Sequence, residues 1–414
     1  MSFAGLLRRE PRALAFGVLH TLGATIGQTF VIALFLPGIK ESFALRDGSI
    51  SVMFTGTTLA SAALLWQIGP RLDRNDLLRY SLACGAFLAA ACALIAASRD
   101  IVLLVFGLFC LRLAGNGLLT HVALTATARC FTADRGRALS VVLLGSSVGE
   151  AALPAPVVAM LTAWGWRPTL VCAGCLGLLL VLAAGCGVRT HSGFRHPRPD
   201  LPYRAGGPSR HIGEAPAAPL RRYWVLTAPL FVAMPASITG AVFHQALIAE
   251  WKGVTLQWFA VSFIAFAISR VATSIGIGPI VDRIGSDRLF TVHLLPLALG
   301  TSALIVADGT SIVPLYWFCA GVTSGMGTVL QTTVIAERVR RERLAHARST
   351  LAAITIVASA AGPSLYGLAF AAGAGTTAVL WCSVAVLLGA TVLGRVATRS
   401  LERARERRRS AGVT

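Results

Sequence analysis

The chain contains 414 residues, of which 55% are hydrophobic and only 13% are charged, and its mean hydropathy is +0.70. A soluble domain averages about 45–50% apolar and about 25% charged residues. These values argue against a soluble enzyme or a disordered chain and predict a polytopic helical membrane protein. The net charge of +19 does not indicate nucleic-acid binding, because Lys and Arg lie almost wholly in the gaps between apolar stretches.

Twelve apolar stretches follow one another along the chain, each with about 20 residues or more, the length that an α-helix needs to cross a bilayer. We interpret the first stretch as a retained membrane helix rather than a cleaved signal peptide. The predicted spans lie at about 13–36, 49–69, 78–97, 101–128, 138–163, 168–188, 223–249, 255–278, 289–307, 312–336, 349–372 and 376–397.

The gaps between these spans alternate between rich and poor in Lys and Arg. Thirty of the 37 basic residues lie before the first span, in every second gap and after the last span, whereas five lie in the remaining gaps. Such a bias predicts that both termini and the central linker face the cytoplasm, in a multi-pass protein of the cell inner membrane. The basic gaps also suit contact with the anionic headgroups of the lipid bilayer.

Two sequence matches indicate an internal duplication. "GPRLDRNDLLR" begins at Gly69 and "GPIVDRIGSDR" at Gly278, an offset of 209 residues, and "IGQTFVIAL" at Ile26 matches "TGAVFHQAL" at Thr239 at a similar offset. The segment between the copies is rich in Pro, Gly, Arg and His, which is typical of a flexible linker. The predicted organisation is a six-helix bundle (1–188), a cytoplasmic linker (189–222), a second six-helix bundle (223–397) and a basic cytoplasmic tail (398–414).

Three short motifs carry a resemblance to a known family. The first is G-x-x-x-D-R-x-G-R-R after the second span of each copy, the second is an Arg followed by glycines in the fourth span, and the third is Gly-Trp-Arg after the fifth. The matching residues are Gly278, Asp282, Arg283 and Gly285, then Gly69, Asp73 and Arg74, then Arg112, Gly115 and Gly117, and then Gly165, Trp166 and Arg167. The copies depart from the motif at Asp76, where glycine is usual, and at Ser286 and Asp287.

With these motifs, the chain resembles the major facilitator superfamily of secondary transporters over essentially its whole length. The resemblance implies an all-α membrane protein with twelve transmembrane helices in two pseudo-symmetric six-helix bundles, working by alternating access. It also implies a conformational gating role for Gly69, Asp73 and Arg74 and for Gly278, Asp282 and Arg283. The segment 128–149 is similar to the same region of bacterial monocarboxylate and oxalate-type members. The Gly-Pro of the drug-antiporter signature is absent from the fifth span.

Only three side chains of certain charge lie deep within the predicted spans: Arg112, Glu150 and Arg270. A charge inside a membrane is costly and usually faces a cavity or a partner. The guanidinium group of Arg suits a carboxylate, so Arg112 and Arg270 are candidate ligands for an anionic substrate. Glu150 is a candidate proton carrier, because burial raises the pKa of an unpaired carboxyl group. The alternative is that Glu150 forms a structural ion pair with one of the two arginines.

Neutral polar side chains in the spans complete the predicted site. Gln28 in the first span, His244 and Gln245 in the seventh, and Asn116 in the fourth are candidate substrate ligands. His244 is a second candidate for proton coupling, because histidine titrates near neutral pH. The alternative role for each of these residues is an interhelical hydrogen bond.

These residues predict a proton-coupled symporter of a small organic anion, for example a monocarboxylate. Its partners are then a small-molecule substrate, a proton and the lipid bilayer, with no nucleic acid, and we expect a monomer. No catalytic residue, metal ligand set or cofactor is predicted. The alternative on the same fold is an exporter of drugs or other hydrophobic compounds. The alternative of another class is a transport-inactive membrane receptor or scaffold.

Overall fold

The computed structural model describes residues 10–68, 76–131, 135–188, 217–339 and 341–410. Across these residues the ordered elements are helices, and no β-strand occurs. Eleven helices within them are long and apolar enough to cross a membrane. A twelfth span results when the bent pair Gly136–Ala152 and Pro154–Trp164 is counted as one. The predicted all-α membrane fold is confirmed.

The chain divides into two compact units. Unit 1 contains Met1–Ala205 together with Val242–Val261, and unit 2 contains Gly206–Ala241 together with Ser262–Thr414. The second part of the seventh span and the start of the eighth therefore group with the N-terminal helices.

Three of the membrane spans in unit 1 are not regular α-helices. The first span is interrupted between α1 and α2, the fourth contains a π-helical segment, and the fifth bends by 42° between α7 and α8. The elements are α1 (Pro11–Ala24), a 3₁₀ turn (Thr25–Gly27), α2 (Thr29–Phe43), α3 (Asp47–Ile68), α4 (Leu77–Ala97), α5 (Ile101–Arg112), the π segment (Leu113–Leu119), α6 (Thr120–Cys130), α7 (Arg135–Ala152), α8 (Pro154–Trp164) and α9 (Trp166–Val188).

Of the remaining helices, α10 (Ala217–Phe243) and α12 (Leu256–Ile284) each have residues in both units. The seventh span is α10 followed by the short helix α11, with His244 between them. The elements are α10 (Ala217–Phe243), α11 (Gln245–Trp251), α12 (Leu256–Ile284), α13 (Ser286–Val292), α14 (Leu295–Val306), α15 (Ile312–Arg338), α16 (Arg341–Ala371) and α17 (Thr376–Ser410).

Two predicted non-membrane segments are partly helical. Helix α10 begins at Ala217, within the predicted linker, and α17 continues to Ser410, within the predicted tail. Alanine and arginine are good helix formers, so the backbone extends each helix beyond its apolar part. The rest of the linker, 189–216, lies outside the described residues.

Small residues bring the helices of each unit into close contact. In unit 1, Gly145 of α7 faces α1 and Gly149 faces the 3₁₀ turn that follows it, where a Cβ atom on Gly149 would lie 2.6 Å from the Thr25 side chain. In unit 2, Gly325 of α15 faces α12, and a Cβ atom there would lie 2.6 Å from the carbonyl oxygen of Arg270. Helices in lipid associate through such close packing rather than through a hydrophobic driving force between them.

Candidate functional site

The first span is broken in the middle of unit 1. Helix α1 ends in the 3₁₀ turn Thr25–Gly27, and Gln28 adopts an extended backbone (φ −87°, ψ 158°) before α2 begins. Such a break is tolerated in a membrane only where other groups satisfy the freed backbone atoms. The backbone N–H groups of Val31 and Ile32 donate to the carbonyl oxygen of Gln28, which leaves the carbonyl of Gly27 available to a partner outside the helix.

That partner is Arg112. Its Nη1 donates to the carbonyl oxygen of Gly27 at 2.9 Å, and its Nε donates to Oγ1 of Thr58 at 3.1 Å. The guanidinium carbon lies 5.1 Å from the ring centre of Phe54, and the residue is only 5% exposed. All these partners are neutral, and no carboxylate among the described residues lies within salt-bridge distance of Arg112. The suggested ion pair between Glu150 and Arg112 is therefore not formed.

Close packing of two glycines explains how Arg112 reaches the break. The π segment Leu113–Leu119 directly follows Arg112, and Gly115 within it contacts Gly27 so closely that a Cβ atom would lie 2.6 Å from the Gly27 Cα. π-helical segments widen a helix locally and are frequent at functional sites. These contacts explain why the fourth span has an arginine followed by glycines. Gly115 allows the fourth span to approach the first, and Arg112 binds the Gly27 carbonyl that the break has freed.

Thr58 and Phe54 of α3 were missed by the sequence reasoning. Both are buried, at 4% and 1% exposure, and lie four residues apart on one face of the helix. Phe54 also packs against Phe243, with 4.6 Å between the ring centres. A threonine and a phenylalanine inside an apolar span look like ordinary core residues, so only the three-dimensional contact with Arg112 identifies them.

Glu150 lies beside the same break. It is 5% exposed and directly follows Gly149, whose contact with Thr25 brings α7 against the 3₁₀ turn. Two residues further on, α7 ends, and Pro154 begins α8 at the 42° bend. Glu150 is thus a buried carboxyl group that lies near the break in the first span and next to the bend in the fifth.

The predicted neutral ligands have different environments. Gln28 is half-buried at the break itself, and Asn116 is exposed within the π segment. Gln245 is 3% exposed, and its Nε2 donates to the carbonyl oxygen of Phe30 at 3.2 Å, two residues after Gln28. Unit 1 thus gathers Arg112, Glu150, Gln28 and Gln245 around one break in the first span.

His244 lies at the break in the seventh span, between α10 and α11, and is 3% exposed. Its Nε2 lies 3.3 Å from Oγ of Ser51, and its Nδ1 lies 3.9 Å from Oδ1 of Asp47. Lys40 donates to the same carboxylate oxygen at 2.7 Å. His244 thus lies close to a hydroxyl group and a carboxylate at the start of α3.

Arg270, the other predicted anion ligand, belongs to unit 2. It lies on α12, is half-buried, and its guanidinium carbon is 5.5 Å from the ring centre of Phe266. Among the predicted gating residues of unit 2, Gly278 is half-buried, and Asp282 and Arg283 are exposed. The corresponding residues of the first copy, Gly69, Asp73 and Arg74, lie outside the described residues.

The departures from the motif in unit 2 form a polar cluster of their own. Asp287 accepts hydrogen bonds from Arg338 and from the hydroxyl group of Tyr223. The Arg338 guanidinium carbon lies 4.2 Å from the Tyr223 ring centre, and Ser286 donates to Glu337. This cluster ties the starts of the seventh and ninth spans to the end of the tenth, and the sequence reasoning had treated Ser286 and Asp287 only as imperfect matches.

Within the described part of the chain, no group of three or more His, Cys, Asp or Glu side chains is arranged to hold a metal ion. What the fold and the break define is a multi-pass helical membrane protein with discontinuous spans, an arrangement that transporters use to expose backbone groups to a solute.

The comparison with known proteins defines the family. The model of the Major Facilitator Superfamily matches residues 18–243 and again residues 225–413, so the chain belongs to this superfamily of transporters. The two matches also agree with the predicted duplication. A chloramphenicol resistance protein of Streptomyces lividans is 28% identical over 371 residues, which cover 86% of this chain and 88% of that protein.

Solved structures share the fold at low sequence identity. A bacterial homologue of the human lysosomal transporter Spinster, in an inward-facing and unoccupied conformation, aligns with a TM-score of 0.70 and 17% identity over 95% of this chain and 98% of that chain. The nucleoside transporter NupG aligns with a TM-score of 0.71 and 11% identity over 94% of this chain and 98% of that chain. These two likenesses describe the fold.

Proposed function

We propose that this transporter moves a small organic anion, with a monocarboxylate as the model substrate, and that Arg112 supplies the positive charge that binds it. The observation that carries the proposal is the environment of Arg112, which is a buried cation whose hydrogen-bond partners are all neutral. A buried charge without a counter-charge is unfavourable. A substrate carboxylate would supply that counter-charge and accept hydrogen bonds from the guanidinium group.

The residues around the break would complete the binding site. Gln28 and Gln245 border the break with amide groups suited to the polar part of a small substrate, and Asn116 offers a third amide from the π segment. In unit 2, Arg270 would provide a second cationic contact. Transport would proceed by alternating access, with the motif residues Asp73, Arg74, Asp282 and Arg283 taking part in gating.

We further propose that transport is coupled to protons through Glu150. Its burial beside the break and the bend of the fifth span supports this role. Protonation removes the charge of a buried carboxyl group and so changes the free-energy difference between the two access states. The distribution of basic residues supports cytoplasmic termini and an inner-membrane location, and we expect the monomer to be the transporting unit.

Flux into proteoliposomes tests the substrate class. Uptake of ¹⁴C-labelled acetate, lactate and oxalate would be measured with wild type, Arg112→Gln and Arg112→Lys, with and without an imposed pH gradient. We expect saturable uptake of at least one carboxylate, with Arg112→Gln lowering it at least about 100-fold, since a lost charged contact costs about 3 kcal/mol or more. Wild-type protein that moves none of the three carboxylates would contradict the proposal.

The proton-coupling arm uses Glu150→Gln. This variant should retain exchange of labelled for unlabelled substrate but lose uptake driven by the pH gradient, because glutamine mimics the protonated carboxyl group. Arg167→Gln is the matched control, since Arg167 donates to the Ala96 carbonyl away from the break. Equal responses of wild type and Glu150→Gln to the pH gradient would show that Glu150 does not carry the proton.

Export of hydrophobic compounds is the second candidate function, and two observations favour it. One is the similarity to the chloramphenicol resistance protein over most of both chains. The other is a predominantly apolar cavity of about 250 Å³ within unit 1, lined by residues that include Ile26, Val31, Leu153, Val157, Cys172 and Leu176. A rise in the inhibitory concentration of chloramphenicol on expression in a sensitive host, unchanged by Arg112→Gln, would support the exporter and contradict the anion assignment.

A further inference from the structure

An open groove lies between α3 and α5 of unit 1, the two helices that supply Thr58 and Arg112. Its volume is about 600 Å³, within the range of about 300–1,000 Å³ that small-molecule sites have. The groove is partly open to its surroundings, since Val102 and Phe106 on its α5 side are 79% and 55% exposed. It is therefore large enough for a ligand and accessible from outside the helix bundle.

Two small residues of α3 leave room for the groove. Gly56 and Ala60 lie four residues apart, so they share one face of the helix, and both line the groove. A Cβ atom on Gly107 of α5 would lie 2.6 Å from the Ile95 side chain, whereas nothing lies within 4 Å of a Cβ atom at Gly56. Gly56 therefore keeps a space open and does not serve the close approach of another helix.

The lining of the groove suits the apolar part of a ligand. Of the described residues that line it, Thr57 alone has a polar side chain, and its hydroxyl group donates to the Phe54 carbonyl at 2.9 Å. A carboxylate inside the groove would lose its hydration without a donor to replace it, which is unfavourable. A charged group of the same ligand therefore has to lie beyond the groove.

One end of the groove lies next to Arg112. Thr57 lines the groove, and the following residue, Thr58, accepts a hydrogen bond from Nε of Arg112. On the other helix, Phe109 lines the groove three residues before Arg112, so these two residues are neighbours on the surface of α5. Long side chains extend toward the N-terminus of their helix, which brings the guanidinium group back toward the turn of Phe109. The helices thus place an apolar groove beside a buried cation.

We propose that the transported anion is an amphipathic carboxylate, whose straight alkyl chain lies in the groove while its carboxylate binds Arg112. This proposal rests on the proposed function, in which Arg112 binds the substrate carboxylate. From Met53 to Ala60 the groove follows α3 over about 10 Å, at a rise of about 1.5 Å per residue. A straight chain of about eight carbon atoms has a similar length. Octanoate is therefore the model ligand, and acetate, which lacks the chain, is its reference.

Equilibrium dialysis against the full-length protein in nanodiscs tests the proposal. The dissociation constants of ¹⁴C-labelled acetate, butanoate, hexanoate and octanoate would be measured, with binding to empty nanodiscs subtracted. Complete burial of a methylene group strengthens binding about fourfold, and in a half-open groove we expect roughly twofold for each one added. The dissociation constant of wild type should therefore fall about 60-fold from acetate to octanoate. Arg112→Gln should weaken the binding of all four acids at least about 100-fold.

Substitution of Gly56 separates the groove from the charge. Gly56→Leu places a side chain in the groove without a steric clash, because nothing lies within 4 Å of a Cβ atom there. It should remove most of the gain with chain length and leave acetate binding unchanged. Gly389→Leu in unit 2, where a Cβ atom also has nothing within 4 Å, is the matched control and should retain the gain. If Gly56→Leu fails to fold, Phe106→Ala, which removes part of the wall, should weaken octanoate binding severalfold and leave acetate binding unchanged.

The other outcomes separate this proposal from the proposed function. Equal affinity of octanoate for wild type and Gly56→Leu would show that the chain does not lie in the groove. Octanoate binding that persists in Arg112→Gln would show that the groove takes an apolar compound or a lipid chain independently of the charge. Either result would overturn the proposal. Equal affinity of all four acids, lost in Arg112→Gln, would overturn it and leave the proposed function intact, whereas no binding of any acid to wild type would contradict both.

Discussion

The two halves of the chain share the glycines that pack their helices together but differ in their buried charged residues. Gly149 in the fifth span and Gly362 in the eleventh are 213 residues apart, the offset of the duplicated first and seventh spans, and each packs against the first span of its own half. The next residue is Glu150 in one copy and Pro363 in the other. Close packing was thus preserved in both halves, whereas the buried carboxyl group occurs in one.

The fourth and tenth spans show the same contrast. Gly115 and Gly117 match Gly325 and Gly327 at an offset of 210 residues, and in both spans the first glycine of the pair contacts a neighbouring backbone. At that offset the residue that matches Arg112 is Val322. The glycines therefore serve packing, which each copy of the fold requires, whereas packing does not explain why Arg112 and Glu150 occur in one copy only.

The largest effect on stability should come from the repeated glycines. Gly149→Ala and Gly362→Ala should each lower the free energy of unfolding by about 2–3 kcal/mol, because the added Cβ atoms would lie 2.6 Å from the side chains of Thr25 and Thr239, respectively. Gly56→Ala and Gly389→Ala are the controls, since nothing lies within 4 Å of a Cβ atom at those positions. Denaturation in mixed micelles measures the differences, and a Gly149→Ala variant as stable as Gly56→Ala would contradict equivalent packing.

A smaller effect is expected at the polar cluster of unit 2. Asp287→Ala should lower the free energy of unfolding by about 2 kcal/mol, because it removes the acceptor of the nearly buried Arg338 and of Tyr223. Asp282→Ala, five residues earlier in the same motif but exposed, should change it by less than about 0.5 kcal/mol. Thermal unfolding in detergent compares the two variants. Equal losses of unfolding free energy in the two variants would show that Asp282 also stabilises the fold.

Substitutions at Asp76 and at the equivalent Gly285, in the two copies of the motif loop, should have the smallest effects on stability. Asp76 caps α4 by accepting from the backbone N–H groups of Leu78 and Arg79, so Asp76→Ala should cost about 1 kcal/mol and Asp76→Ser much less. The equivalent residue in the second copy is Gly285, whose φ of +92° disfavours any side chain. Gly285→Ser should therefore destabilise where Asp76→Ser does not, and the same unfolding assay measures both. Equal unfolding free energies for Asp76→Ser and Gly285→Ser would contradict this expectation.

Most of the fold was predictable from the sequence because membrane spans obey strong rules of length, hydropathy and charge placement. The all-helical architecture and the membership of the superfamily are in this category. The break at Gln28 was not, since residues 25–28 lie within the predicted first span and the contact of Gly27 with Gly115 joins two distant segments of the chain.

The candidate site was predictable only in part for the same reason. A charged residue within a long apolar stretch is visible in the sequence, so Arg112 and Glu150 could be named as candidates. The residues that surround them depend on contacts between distant segments of the chain. Thr58 and Phe54 beside Arg112 are ordinary residues of a membrane span in sequence. Asp47 was overlooked because it lies at a helix end, where an acidic residue usually has only a capping role.

We propose that an anionic substrate supplies the counter-charge of the buried Arg112 guanidinium group. Thermal unfolding of purified wild type and Arg112→Gln against acetate, lactate, oxalate and chloramphenicol tests it most directly. A ligand at 100 times its Kd stabilises the folded form by about 2.7 kcal/mol. We predict that a carboxylate raises the unfolding midpoint of wild type and leaves that of Arg112→Gln unchanged. Stabilisation of both proteins by chloramphenicol, with no response to any carboxylate, would contradict the account.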